Sequence, residues 1–165
     1  MMVMKAVSAA SSLLILGSGS STRRAILSEM GLAYEIHKPD IDEKAIRRTD
    51  PADLVLALGR AKAAALLEGP QAADFAARRA FILTADQVVV WKGQILEKPE
   101  NEAEARAFIA GYAESPPRTV GSCVISCTVT GKQWTAVDEA CVVRAHVCMC
   151  LLAHPTDLLP CPARS

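Results

Sequence analysis

The sequence is poor in aromatic residues, which make up 4% of its 165 residues, so any core it builds must be aliphatic, of Ala, Val, Leu and Ile. It has no excess charge of either sign: 18 Lys+Arg stand against 18 Asp+Glu. That balance removes the clustered cations on which non-specific affinity for nucleic acid depends, and it leaves no polybasic signal for a membrane surface. No apolar run approaches the roughly 20 residues a membrane helix needs. The apolar fraction of 51% is too high for a disordered chain. The segment ending in Leu13–Leu16 is too short for a secretory core and reads as a strand entering a turn; residues 1–11, with Ser and Ala but no acids, keep an organelle transit peptide as the alternative. Histidine is also scarce. His37, His146 and His154 fall into no Ser-His-Asp or Cys-His order.

All six cysteines lie late in the chain, at 123, 127, 141, 148, 150 and 161. Cys148 and Cys150 are too close for the usual zinc-knuckle spacing, and no second pair completes a site. Cys123, Cys127 and Cys141 therefore read as buried free thiols in strands.

What is present alternates as an α/β fold requires. Leu14–Leu16 is a short buried strand, stopped by Gly17-Ser18-Gly19-Ser20-Ser21. A helix over 22–30 follows, with Ile26, Leu27 and Met30 on one face and Gly31 as its stop. Residues 33–37 form a second strand, ended by Pro39. Asp50 caps the longest helix, with Pro51 in its first position and Leu54, Leu58, Ala61 and Ala65 at helical spacing until Gly69-Pro70. Residues 81–90 read as a buried strand interrupted by Thr84-Ala85-Asp86-Gln87, turned by Lys92-Gly93 into 94–96. Asn101 with Glu104 caps a helix to about Tyr112, carrying Ala105, Phe108 and Ile109. Residues 118–129 and 133–143 form a hairpin around Thr130-Gly131-Lys132. Beyond Val143 the texture changes, with cysteines, prolines and histidines in no regular period.

Two constellations carry chemistry. A Gly/Ser turn between strand and helix lets the backbone approach an anion, and Arg23 and Arg24 in the first turn of that helix oppose its dipole unless a phosphate sits between them. It fits neither G-x-G-x-x-G nor a Walker A loop; the plain alternative is a Ser-capped helix with solvated arginines. Asp86 is an acid inside an apolar strand, where an unpaired carboxylate costs several kcal/mol. It is either a strand end facing water or a functional group. Glu43, with Asp40 and Asp42, gives a second acidic cluster, and Lys62 and Lys98 are cations beside apolar elements. Carboxylates for a divalent cation, with a Ser/Arg loop and lysines for phosphates, are the components of metal-assisted phosphate chemistry.

Leu14-Ile15-Leu16-Gly17-Ser18-Gly19-Ser20-x-x-Arg23-Arg24, Pro39-Asp40-Ile41-Asp42-Glu43, Ala61-Lys62-Ala63, Ala85-Asp86-Gln87-Val88 and Lys98-Pro99 resemble the Maf family in order and spacing. The resemblance covers about residues 12–143, between an extension at 1–11 and a tail at 144–165 that does not look like the family. It implies a mixed sheet with flanking helices in a two-lobed Maf/ITPase-like fold, here incomplete at its C-terminal end. It implies an enzyme that is often homodimeric; a cytoplasmic location is the default, and the balanced charge and lack of long apolar runs leave no nucleic-acid or membrane partner expected. The reaction implied is cleavage of a nucleoside triphosphate to the monophosphate and pyrophosphate with Mg²⁺ or Mn²⁺.

By the same resemblance, Ser18, Ser20 and Arg23 bind phosphate, with Thr22 at a position linked to specificity. Glu43 is the metal-associated acid, Lys62 and Lys98 are the phosphate lysines, and Asp86 accepts the proton of the attacking water and touches the metal. Gln87 is similar to the residue of members acting on 7-methyl-GTP, where a Thr marks the dTTP/UTP members. The alternative of another class is a catalytically inactive nucleotide-binding protein whose closing segment is absent.

Overall fold

The computed structural model of the chain describes residues 13–96 and 99–142. The expectations for residues 1–11, Lys98, the tail and the last three cysteines lie outside them. The elements run β1 (Leu14–Leu16), α1 (Ser21–Glu29), β2 (Glu35–Ile36), a single 3-10 turn (Glu43–Ala45), α2 (Pro51–Leu67), α3 (Ala72–Ala77), β3 (Phe81–Trp91), β4 (Gln94–Leu96), α4 (Glu102–Glu114), β5 (Arg118–Cys127) and β6 (Gln133–Cys141). They make an α/β fold, as the alternation of signals predicts, with the mixed sheet and flanking helices that the resemblance implies. The strand order is β2-β1-β3-β5-β6, with β4 on β3 off that path. The chain divides into two compact units, one of residues to Val88 with Val120–Glu139, the other of Val89–Thr119 with residues from Ala140.

In the first unit, β1 is parallel to both β2 and β3, pairing Ile15 with Glu35 and with Ile82. Because successive strand residues face opposite ways, β1 feeds two apolar clusters. Ile15 joins Leu66, Phe75, Ala80 and Ile82 on one side, while Leu14 and Leu16 meet Leu27, Phe81 and Leu83 on the other. The Asp50 cap forms as expected, its Oδ1 accepting from Asp53 N at 2.9 Å. The buried face of α2, however, is Leu54, Val55, Leu58, Gly59, Lys62, Ala63 and Leu66, which is broader than the stripe read from the sequence and includes a lysine.

Three readings need correction. In α1 only Leu27 is buried, with Ile26 and Met30 at 50% and 43% exposure, because Leu27 is the one of the three that packs with Leu14 and Leu16 of β1. The second strand shrinks to Glu35–Ile36, prolonged by His37 N donating to Leu16 O at 3.1 Å. Helix α3 was not expected at all. Its six residues are too few to show a period, yet its Phe75 is 1% exposed and anchors a core cluster.

In the second unit, β3 and β4 form a hairpin with Val90 opposite Ile95. Lys92 and Gly93 both have positive φ, 48° and 78°, the signature of a primed two-residue turn. Helix α4 starts on Asn101, whose Oδ1 accepts from Glu104 N at 2.9 Å. Its Ile109 is 62% exposed, against the expectation of an apolar face there. The helix is set by Trp91 instead. A Cβ at Gly111 would lie 2.5 Å from the Trp91 ring, and the indole N–H donates to Ser115 O at 2.8 Å.

The expectation of three buried thiols is corrected as well. Cys123 and Cys127 are only partly covered and Cys141 is exposed, since β6, the last in the strand order of the described residues, is exposed along almost its whole length. Burial pushes the Cys123 thiol up, with the positive charge of Arg23 opposing. A hydrogen bond with the Thr130 side chain draws Cys127 down. Only thiolate reacts with alkylating reagents, so Cys127 should be labelled by iodoacetamide at a lower pH than Cys123. Peptide mass mapping across a pH series checks this, and equal rates at every pH would refute it.

Candidate active site

The Gly/Ser turn begins where β1 ends. Gly17 N donates to Leu83 O at 2.8 Å, which carries the β1–β3 ladder one step further. A Cβ on Gly17 would stand 2.6 Å from Thr84 Cγ2 and 2.9 Å from Leu66 Cδ1, so the turn is pressed onto β3 and α2 as only glycine allows. Ser18 follows at 7% exposure. Its Oγ accepts from Ser20 N at 3.2 Å and from Arg23 Nη1 at 3.0 Å. Ser20 is the N-cap of α1, its Oγ accepting from Arg23 N at 3.4 Å. Ser20 thus caps the helix, as the plain reading has it, but the Arg23 guanidinium is folded back over the turn onto Ser18 instead of pointing to solvent. Thr22 is exposed in the first turn of α1.

The second cluster is built around Lys62. Its Nζ lies 3.0 Å from Glu43 Oε1 and 3.4 Å from Asp86 Oδ1, and its side chain is 9% exposed. Lys62 projects from the inner face of α2. Asp86 follows Ile82 and Thr84 along β3, on the face turned to that helix, and is itself only 14% exposed. Glu43 comes from the 3-10 turn and is half exposed.

The acidic segment before it divides its work. Asp42 Oδ1 accepts from Lys44 N at 3.0 Å and Ala45 N at 3.3 Å, so it is a cap that turns the chain and aims Glu43 at the lysine. The Asp86 carboxylate also accepts from Gln87 N at 3.0 Å, which fixes one oxygen. Of the two readings of Asp86, the first is corrected: it is no strand end facing water, because β3 runs on to Trp91 and the carboxylate is mostly buried beside Lys62. The Gln87 side chain is exposed, and Gly121 on β5 lies beside it.

Two buried hydroxyls join these clusters, and neither was singled out in the sequence. Thr84 Oγ1 donates to Gly59 O at 2.7 Å, and Ser122 Oγ donates to Val55 O at 2.6 Å. Val55 and Gly59 are four residues apart on one face of α2, so two strands grip that helix by its carbonyls, one turn before Lys62. Thr84 also abuts Gly17, and so it touches both the turn and the lysine's helix. The available signal was a Thr at the inward position of an otherwise aliphatic strand.

Gly59 reads in sequence as a helix weakened by about 1 kcal/mol relative to Ala. In the structure it is a place of close approach, where a Cβ would lie 3.0 Å from Val124 Cγ2 and 3.1 Å from Ser122 Oγ. Val124 is fully buried and Ser122 is held by its hydrogen bond, so neither can yield cheaply. Gly59→Ala should therefore lower stability by about 1 kcal/mol, overpacking outweighing the propensity gain. Urea denaturation measures it, and a raised midpoint would show that the contact is slack.

Among the described residues no group of three or more His, Cys, Asp or Glu side chains could by itself hold a metal ion. The oxygen donors at hand are Glu43 and Asp86, which converge on one point from different elements.

The sequence profile of the family described as Maf-like protein matches residues 13–150. The chain is 42% identical over 128 residues to a 7-methyl-GTP pyrophosphatase of Dictyostelium discoideum, covering 77% of this chain and 65% of that protein. It is 48% identical over 99 residues to a 7-methyl-GTP pyrophosphatase of Idiomarina loihiensis, covering 60% of this chain and 48% of that one. A dTTP/UTP pyrophosphatase of Vibrio cholerae is 33% identical over 114 residues, 69% of this chain and 58% of its own length. The chain thus spans less than two thirds of the length of each of these relatives.

Proposed function

The chain belongs to the Maf-like protein family, and on that premise we propose that it hydrolyses a nucleoside triphosphate to the monophosphate and pyrophosphate. The observation that carries this reading is the Lys62 ammonium held between Glu43 and Asp86, in the same unit as a Ser/Arg turn whose guanidinium has no carboxylate partner among the described residues.

The chemistry follows from the residue types. Ser18, Ser20 and Arg23 hold phosphate oxygens, the guanidinium bidentately. Asp86 has one carboxylate oxygen fixed by the Gln87 N–H and Lys62, and its free lone pairs orient a water and take its proton. The water oxygen bonds to the α-phosphorus, the α–β bridging bond breaks, and its electrons leave with the pyrophosphate. Lys62 offsets the charge that accumulates on the phosphate oxygens during that exchange. Lys98 is assigned the same task by the family resemblance.

Glu43 and Asp86 suit a divalent cation such as Mg²⁺ or Mn²⁺, because Mg²⁺ is commonly held by one or two carboxylates and completes its shell with waters and substrate phosphates. When bound, such a cation supplies charge neutralisation and a more acidic water.

For the substrate we favour a modified guanine nucleotide of the 7-methyl-GTP kind. Gln87 supports this choice, since its amide can both donate to and accept from a base edge, and so do the relatives named for that nucleotide. A cytoplasmic homodimer completes the reading. No helix of the described residues is long and apolar enough to cross a membrane.

Pyrophosphate release with Mg²⁺ tests this, offering 7-methyl-GTP, GTP, UTP and dTTP. Asp86→Asn should lower the rate on the order of 10²–10³-fold, the cost of losing one preorganised group, while nucleotide binding persists. A folded chain that binds nucleotide but never turns it over would instead be a nucleotide-binding protein. One that prefers UTP or dTTP would refute the assignment of Gln87.

A further inference from the structure

We propose that Lys38, a residue outside the phosphate motif, is a further phosphate-binding cation of the site and makes it select triphosphate over monophosphate. This inference rests on the reading above of the Gly/Ser turn as the phosphate site. The parallel register that pairs Leu16 with Ile36 continues through His37 N to Leu16 O at 3.1 Å. Residue 38 therefore leaves the sheet alongside the turn that follows β1. There its side chain lies across Gly19. A Cβ at Gly19 would be 2.8 Å from Lys38 Cε and 3.5 Å from both Cδ and Nζ. The missing side chain is filled by lysine methylenes, which brings the ammonium to the turn itself.

Nothing described neutralises that ammonium. The nearest acid in sequence on its N-terminal side, Glu35, is engaged by Arg78 and faces the His37 imidazole, and no carboxylate among the described residues lies within ion-pair distance of Lys38. Arg23, on the helix side of the same turn, is bonded to the neutral Ser18 hydroxyl. Two cations thus face one Gly/Ser turn with no carboxylate partner described for either. Their mutual repulsion is relieved by a ligand with several negative charges close together, such as the phosphate chain of a nucleoside triphosphate. A nucleoside monophosphate carries fewer charges and cannot satisfy both.

The test uses the full chain and an uncleavable α,β-methylene nucleoside triphosphate, with binding read by calorimetry beside the corresponding monophosphate. Lys38→Gln should weaken the triphosphate analogue about tenfold, the effect of losing one charge-assisted hydrogen bond. It should leave monophosphate affinity within about twofold, and Lys38→Arg should restore most of the loss. Lys38 is exposed, so thermal melting should show both variants folded as the parent. Unchanged triphosphate affinity in Lys38→Gln, with a loss in Arg23→Gln, overturns the role of Lys38 alone. Equal loss for both ligands overturns the selectivity. An unsubstituted chain that binds no triphosphate overturns the phosphate-site reading and this inference with it.

Discussion

A lysine whose side chain is nine-tenths shielded from water and whose ammonium is touched by two carboxylates is the arrangement on which the rest of this unit turns. Removing those charges from water costs several kcal/mol for each ion, and mutual attraction offsets that only when the geometry is held closely. Replacing such a group by apolar residues would commonly be neutral or stabilising. The elements that hold it are arranged around the charges. Helix α2 delivers the lysine, β3 delivers one acid, and a single 3-10 turn capped by Asp42 delivers the other.

How closely these parts approach is decided by atoms that are missing. Without a Cβ, Gly17 seats the turn against Thr84 and Leu66, and Gly59 lets α2 settle onto Val124 and Ser122. The Thr84 and Ser122 hydroxyls then bond the α2 carbonyls facing them. A side chain at either glycine would hold the layers apart, and each hydroxyl would lose its acceptor while remaining buried, at a cost of about 1–3 kcal/mol. Buried hydroxyl and bare glycine are therefore one device, which sets the separation of helix and sheet one turn before Lys62.

This explains what could be read from the sequence and what could not. Asp50-Pro51 and Asn101-x-x-Glu104 announce helix starts through side-chain acceptors three residues from a donor, and both caps form. Lys92-Gly93 announces its hairpin through residues that tolerate positive φ. Those signals are local, so the chain carries them in order. The residues of the candidate site were legible as types, because an acid in an apolar strand and arginines at a helix start violate local rules. What joins them was not. Gly59 meets Val124 and Ser122 across more than sixty positions of sequence, and locally it reads only as a weak helix residue. Helix α3 carries its information in one aromatic, Phe75, whose partners Ile15 and Ile82 are also distant. The exposed faces of α1 and α4 mislead for the same reason: apolar period reports what a helix can bury, and the neighbour decides what it does bury.

The distribution of charge within this unit follows the same logic. Carboxylates gather on Lys62, where two acids outnumber one described cation, while Arg23 and Lys38 lie beside the Gly/Ser turn without a described acid. Internal pairing between the two groups would cancel both charges, and it is prevented by where the strands put them. The face of β3 that carries Thr84 and Asp86 is the one toward α2, whereas the turn leaves the end of β1 toward α1 and is met from β2 by residue 38. The alternation of strand residues sends these two groups of charge to different faces of the sheet in a chain whose net charge is zero. Under the proposed function a nucleotide carrying phosphates and a divalent cation would answer both groups, which neither group does for the other.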